Sequence, residues 1–242
     1  MEYALSNPAQ HPVKTSWIRI AGSAGTYDAY LALPPAGSGP GLVLFQEIFG
    51  VNGHIRGVAE QYALDGYVVL APDVFWRQAP RVDLGYEGED MQRAYALMQG
   101  NDPALLRQDI VDTVKALRAR PEVGGRKVGA VGYCLGGRLA YAAAALAGTD
   151  AAVAYYGGGI QDQLDLVPRI TCPMQFHYGA LDTHIPPEAV EKVRTAFADK
   201  PAEVHVYPGA NHGFNCWGRA SYHAPSAALA HGRTLQFFAN LF

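Results

Sequence analysis

Gly132-Tyr133-Cys134-Leu135-Gly136-Gly137 constrains the fold of this chain more than any other segment. It follows a short apolar run, Lys127 to Val131, and leads into Arg138 to Ala147, a small-residue stretch with helical composition. A strand that turns sharply into a helix needs glycine at its flanks, because a Cβ there would crowd the bend. The apical side chain is then presented outward. The following helix points its N-terminal amides and dipole at that side chain, which for cysteine favours thiolate over thiol. On its own the segment is also compatible with a structural cysteine buried at a glycine-rich junction.

The rest of the chain alternates in the same sense. Trp17 to Ile20 and Tyr27 to Leu33 read as an opening hairpin around Gly22 to Gly25. Gly41 to Phe45, Tyr67 to Ala71, Lys127 to Val131, Ala151 to Tyr156, Pro173 to Tyr178 and Glu203 to Tyr207 are short apolar runs suited to strands covered on both faces. Helical patterns fall between them at Asn52 to Asp65, Gly88 to Gln99, Pro103 to Arg120, Leu135 to Ala147, Pro187 to Ala198 and Ser226 to Leu241, with Asp102 placed as N-cap and Pro103 at the first helical position. Strand–helix alternation with right-handed crossovers predicts an α/β architecture: a mostly parallel, eight-stranded twisted sheet with helices on both faces. One domain spanning residues 1–242 is expected, with Pro34 to Pro40 a loop between strands and Gly157-Gly158-Gly159 a turn. Ligands of such sheets gather at the carboxyl ends of the strands, so reactive side chains should follow strands.

Composition narrows the function. A net charge of -3 provides no basic field for nucleic acid. Cys134, Cys172 and Cys216 form an odd, sparse set, which argues for a reducing compartment rather than a secreted disulfide framework. Met1 to Lys14, with Glu2, Pro8 and Pro12, lacks the apolar core of a secretory signal. Leu139 to Ala147 falls well short of the ~20 residues that span a bilayer. The expectation is a soluble cytoplasmic monomer with a small-molecule substrate and neither nucleic acid nor membrane as partner.

Three reactive residues fall after strands in the order Cys134, Asp182, His212. Nucleophile, acid and histidine in that order is the sequence of an α/β-hydrolase triad. The chemistry assigns the roles. The sulfur of Cys134 attacks a carbonyl carbon, His212 handles its proton and later protonates the leaving oxygen, and Asp182 fixes the imidazole tautomer and balances its charge. Taken singly, the aspartate is also a loop cap and the histidine a surface residue. A tetrahedral oxyanion needs two donors, expected at the backbone amides of Leu135 and of Ile48 in Gln46-Glu47-Ile48-Phe49-Gly50. Glu47 stands out. An ionised carboxylate near the cysteine opposes thiolate formation, whereas a carboxylate placed to accept a proton assists it. A loop ion pair, for example with Arg56, is the plainer alternative.

With Ala71-Pro72-Asp73, Arg77-Gln78-Ala79-Pro80, Tyr178-Gly179-Ala180-Leu181-Asp182 and His212-Gly213-Phe214 added to these motifs, nearly the whole chain resembles the dienelactone hydrolase family (carboxymethylenebutenolidases). The resemblance implies lactone opening through an acyl-thioester on Cys134, with no metal or organic cofactor. It implies that Glu47 quiets the resting thiol, then shifts on substrate binding and draws the cysteine proton. It also implies a substrate carboxylate held by two arginines, the first matched by Arg77. The second is expected four residues after His212, where this chain has Cys216, with Arg219 nearby. Phe49, Trp76, Phe214 and Trp217 are candidates for an apolar acyl pocket. His177, His184, His205 and His223 have no recurrent metal-ligand spacing. The other functional readings are a carboxylesterase or acyltransferase of neutral esters, a thiol redox or sensor protein using Cys134 with Cys216, and a binding module on a retired enzyme fold.

Overall fold

In the computed structural model, which describes residues 12–242, the chain begins on an antiparallel hairpin, β1 (Lys14–Gly22) and β2 (Gly25–Leu33). The hairpin is longer than the apolar alternation alone predicts, because pairing continues from Lys14↔Leu33 to Gly22↔Gly25. The reading of Met1 to Lys14 as no secretory signal falls largely on residues outside those described. The remaining strands are β3 (Gly41–Phe45), β4 (Val68–Pro72), β5 (Val128–Tyr133), β6 (Ala151–Tyr155), β7 (Met174–Gly179) and β8 (Ala202–Tyr207). They complete one eight-stranded sheet in the order β1-β2-β4-β3-β5-β6-β7-β8. β2 meets β4 antiparallel, and every pair from β4 to β8 is parallel.

The helices are α1 (Gly53–Leu64), α2 (Gly88–Gln99), α3 (Pro103–Arg118), α4 (Leu135–Leu146), α5 (Pro187–Ala196) and α6 (Ala224–Leu241). Two 3-10 segments, Ile160–Asp162 and Leu164–Arg169, follow β6 where no apolar period announces them. Asp102 caps α3 through Oδ1, which accepts from the amides of Ala104 and Leu105 at 2.8 and 3.1 Å. Asn52 caps α1 by accepting from Ile55 N at 3.2 Å.

The apolar runs take the central positions for a simple reason. β3, β4, β5, β6 and β7 are buried along their whole length, so both faces need apolar side chains. Gly41 in β3 pairs with Val128 in β5 and faces Leu117 of α3. The next residue, Gly129, points the other way, towards Phe238 of α6 and Phe242. Helices α3 and α6 therefore cover opposite faces. The ring of Tyr62 in α1 meets His231 in α6 at 5.1 Å, which joins α1 to the α6 side. No helix among the described residues is long and apolar enough to cross a membrane.

Candidate active site

The turn between β5 and α4 is as tight as its glycines require. Cys134 sits at φ 56°, ψ -114°, a region that side-chain-bearing residues rarely adopt and whose strain costs ~1–3 kcal/mol. A Cβ on Gly132 would lie 2.0 Å from Gly136 O, and one on Gly136 would lie 2.1 Å from Phe45 O. Only glycine fits either position. The Cys134 amide donates to Tyr155 O at 3.0 Å, which fastens the apex to β6.

The loops after β7 and β8 bring two partners to the sulfur. His212 Nε2 lies 3.1 Å from Cys134 Sγ, and His212 Nδ1 lies 2.7 Å from Asp182 Oδ2. Asp182 is 4 % exposed, and its other oxygen accepts from the amides of His184 and Ile185 at 2.8 and 3.2 Å. It is thus a loop cap and the histidine's carboxylate at once, one oxygen for each task. Burial disfavours the imidazolium of His212, but the Cys134 sulfur and the hydrogen bond to Asp182 outweigh it and push its pKa up to about 10. Asp182, His212 and Cys134 therefore form a continuous line from buried carboxylate to sulfur.

Beside the sulfur opens a cavity of about 220 Å³ lined by Ile48, Phe49, Met91, Tyr95, Met98, Cys134, Leu135, Arg138, Gly158, His184, His212 and Arg219. Ile48 and Leu135 both belong to this lining. The Leu135 amide is in the first turn of α4, among the helix donors that have no intrahelical acceptor. Met91, Tyr95 and Met98 on α2 were not singled out from the sequence, nor were Arg138 and His184. Arg138 alone had a legible signal: it stands one helical turn after Cys134, so it shares a face with the start of α4.

The predicted substrate arginine needs correction. Arg77 does not line this cavity. Its guanidinium forks onto Asp109 of α3, with Nη2 to Oδ1 at 2.9 Å and Nη1 on Oδ2, and it stacks on Trp76 at 4.2 Å. Trp76 donates to the same carboxylate at 3.0 Å. A bidentate pair with a buried carboxylate turns one edge of the guanidinium and much of its charge to Asp109, away from a ligand in this cavity. The cavity's cations are instead Arg138 and Arg219, the latter 5.6 Å over the Phe49 ring. Of the four aromatic candidates only Phe49 lines the cavity. Trp76 stacks on Tyr27, Phe214 is fully buried, and Trp217 covers His54 at 4.1 Å.

Glu47 is 1 % exposed, and its Oε1 lies 3.4 Å from Arg219 Nη1. Arg56 pairs with Asp83 instead, at 2.9 Å. Burial raises the Glu47 pKa, and the charges of Arg219 and His212 oppose that rise. Cys216, in place of the expected second arginine, is buried beside Glu47, and burial and that carboxylate push its pKa up to about 12.

The sheet order, the strained cysteine turn and the acid–histidine line after β7 and β8 define an α/β-hydrolase. The same fold is found in the acylaminoacyl peptidase of Pyrococcus horikoshii, with a TM-score of 0.70 at 14% identity over 96% of this chain and 42% of that one. The model of the dienelactone hydrolase family matches residues 27–242, and the chain belongs to that family. It is 38% identical over 218 residues to the carboxymethylenebutenolidase of Pseudomonas putida, covering 89% of this chain and 92% of the relative. It is also similar to a dienelactone hydrolase-like promiscuous phosphotriesterase from metagenomic libraries, with a TM-score of 0.80, 26% identity, and 95% and 99% of the two chains covered. The protein is accordingly an ester-bond hydrolase.

Proposed function

We propose that the protein hydrolyses small lactones or esters through an acyl-thioester on Cys134. The observation that carries this reading is the 3.1 Å contact of His212 Nε2 with a sulfur that opens onto a cavity. In the acylation half, the Cys134 sulfur adds to the carbonyl carbon and the carbonyl oxygen gathers negative charge. The amides of Ile48 and Leu135 receive that charge, and losing one such donor raises a barrier by about 3 kcal/mol. The C–O bond then breaks, and the His212 imidazolium gives its proton to the departing oxygen. From a lactone, that oxygen stays tethered to the acyl group. In the second half, water adds to the thioester while His212 takes its proton, and the C–S bond breaks to restore the sulfur and release the acid. Asp182 holds Nδ1 throughout and balances the imidazolium.

The polar lining favours a substrate that carries a carboxylate. Arg138 lines the cavity and has no carboxylate partner among the described residues, and Arg219 lines it beside Phe49. A substrate anion that engages Arg219 competes with Glu47 for the guanidinium. That competition would loosen Glu47 and free it to act on the cysteine proton. The acyltransferase reading differs only in the second acceptor, and added alcohols in a turnover assay separate the two.

The deciding experiment is rapid mixing with an aryl ester followed by acid quench and intact-mass analysis. A mass increment of one acyl group on the wild type, absent in Cys134→Ala, is the expected result. Turnover that persists in Cys134→Ala, or acylation at another residue, overturns the reading.

A further inference from the structure

Behind Arg219, three residues from three separate elements meet, and two of them carry polar atoms that the fold leaves unused. Glu47 follows β3, His54 lies in the first turn of α1, and Cys216 lies in the loop after β8. One donor atom from each, a carboxylate oxygen, a ring nitrogen and Sγ, lie within 4.8 Å of one another. The three residues are 1 %, 4 % and 0 % exposed. Neither nitrogen of His54 has a hydrogen-bond partner, and neither does Glu47 Oε2. Buried polar groups without partners are rare and costly. The His54 ring is held by packing instead, edge-on to Trp217 at 4.1 Å and to Tyr133 at 6.4 Å.

We propose that Glu47, His54 and Cys216 form a binding site for one zinc ion, and that loading it inhibits the enzyme. The donor set of imidazole nitrogen, carboxylate oxygen and thiolate suits zinc, which takes all three. Ligands around a tetrahedral ion stand about 3.3–3.8 Å apart for bonds of ~2.0–2.3 Å. No side of this triangle therefore has to close by more than about 1.5 Å on loading. Arg219 holds Oε1 of Glu47 and leaves Oε2 to the ion. On binding, Cys216 releases its thiol proton to solvent. Carboxylate, thiolate and neutral imidazole then match the charge of the dication, Arg219 keeps its own single charge beside Glu47, and one position remains for water. The inhibitory half rests on the proposed hydrolase mechanism, because a metal-bound Glu47 can no longer take part in the proton traffic of Cys134.

The binding half is tested in the Cys134→Ala protein, which removes the competing active-site thiol. After chelator treatment, Co²⁺ is titrated while the near-ultraviolet thiolate-to-cobalt band is followed, and Zn²⁺ is then used to displace it. The expected result is a one-equivalent band that zinc bleaches. Adding Cys216→Ser abolishes the band, and adding His54→Phe weakens zinc at least tenfold. No band in Cys134→Ala, or a band that both additional substitutions leave unchanged, overturns the site. Should Cys216→Ser fail to fold, the His54→Phe comparison decides alone. The inhibitory half is read from wild-type ester turnover, where one equivalent of zinc should cut the rate at least tenfold and a chelator should restore it. A rate indifferent to zinc in protein shown to bind it overturns inhibition. Metal-free turnover of wild type against Cys134→Ala tests the hydrolase mechanism separately.

Discussion

Two polar clusters lie at the carboxyl end of the sheet, and they are built on opposite terms. In the Asp182–His212–Cys134 line each polar atom faces a partner, down to the Asp182 oxygen that does not touch the histidine. In the neighbouring Glu47–His54–Cys216 cluster, both imidazole nitrogens and one carboxylate oxygen have none. Satisfied hydrogen bonds fix a geometry, which the first cluster needs if its histidine is to stay in one tautomer. Unsatisfied donors and acceptors hold no geometry of their own. They stay in place because the surrounding rings pack, as Trp217 and Tyr133 do around His54. The contrast separates a site already paired for a reaction from one whose atoms have yet to be claimed.

Substitutions can break or sharpen that contrast. The largest effect should come from Cys134→Ala, which should lower turnover of p-nitrophenyl acetate by at least ~10⁴-fold. Its circular dichroism melt should stay cooperative, since the strained turn loses only a sulfur. Asp182→Asn should lower kcat by ~10³–10⁴-fold by unsettling the imidazole. It should also move the pH profile. The folded pKa of His212 is raised to about 10, so the stability gained from the imidazolium is complete below its unfolded value of ~6.5 and is lost as pH rises through 10. Removing the carboxylate removes part of that support. The alkaline limb of kcat/KM should therefore fall to lower pH in Asp182→Asn, and an unmoved limb would show that Asp182 does not sustain the charge.

Next in size are the cavity cations. Arg219→Ala and Arg138→Ala should each raise KM for carboxylate-bearing esters ~10–100-fold, more than for neutral esters of the same shape, as expected for a charge-assisted hydrogen bond worth ~1.5–3 kcal/mol. Arg77→Ala should change both substrates alike, since Arg77 is spent on Asp109. Discrimination lost in Arg77→Ala but kept in the other two would reverse this assignment.

The smallest effects are on stability, and here the paired and unpaired regions should part company. Thr234 links Tyr155 Oη at 2.7 Å and His177 Nε2 at 3.1 Å deep behind the sheet. Thr234→Val leaves Tyr155 Oη without its partner, while His177 Nε2 keeps Gln175 Oε1 at 2.9 Å, and should cost ~1–3 kcal/mol in urea unfolding. His54→Phe keeps an aromatic ring against Trp217 and removes two unpartnered nitrogens, so it should change stability by less than ~1 kcal/mol. A loss as large as that of Thr234→Val would mean that His54 has a bonding partner after all.

Much of this architecture was legible in the residues. The central strands announced themselves as apolar runs because they are covered on both faces, and Asp102 marked a helix start through a side chain that caps. The hairpin was longer than its alternation because strand pairing, not burial, carries its ends. Cys134, Asp182 and His212 were legible because strand ends are where such sheets hold chemistry. Arg77 misled for a physical reason: an arginine near the catalytic edge is available only if no carboxylate reaches it first, and Asp109, on the next helix but one, does.

The sequence by itself determined the local conformations: a cysteine forced outward between glycines, strands that demand cover on both faces, and an acid and a histidine each delivered by a strand end. These follow from sterics and solvent exclusion acting within a few residues. Only the tertiary structure decided the pairings among distant side chains, giving Asp109 to Arg77 and Arg219 to Glu47, and bringing the unpartnered nitrogens of His54 beside Glu47 and Cys216. Charge pairing and metal affinity depend on separations of a few ångströms between residues 32 to 172 positions apart, and such distances exist only once the sheet has assembled.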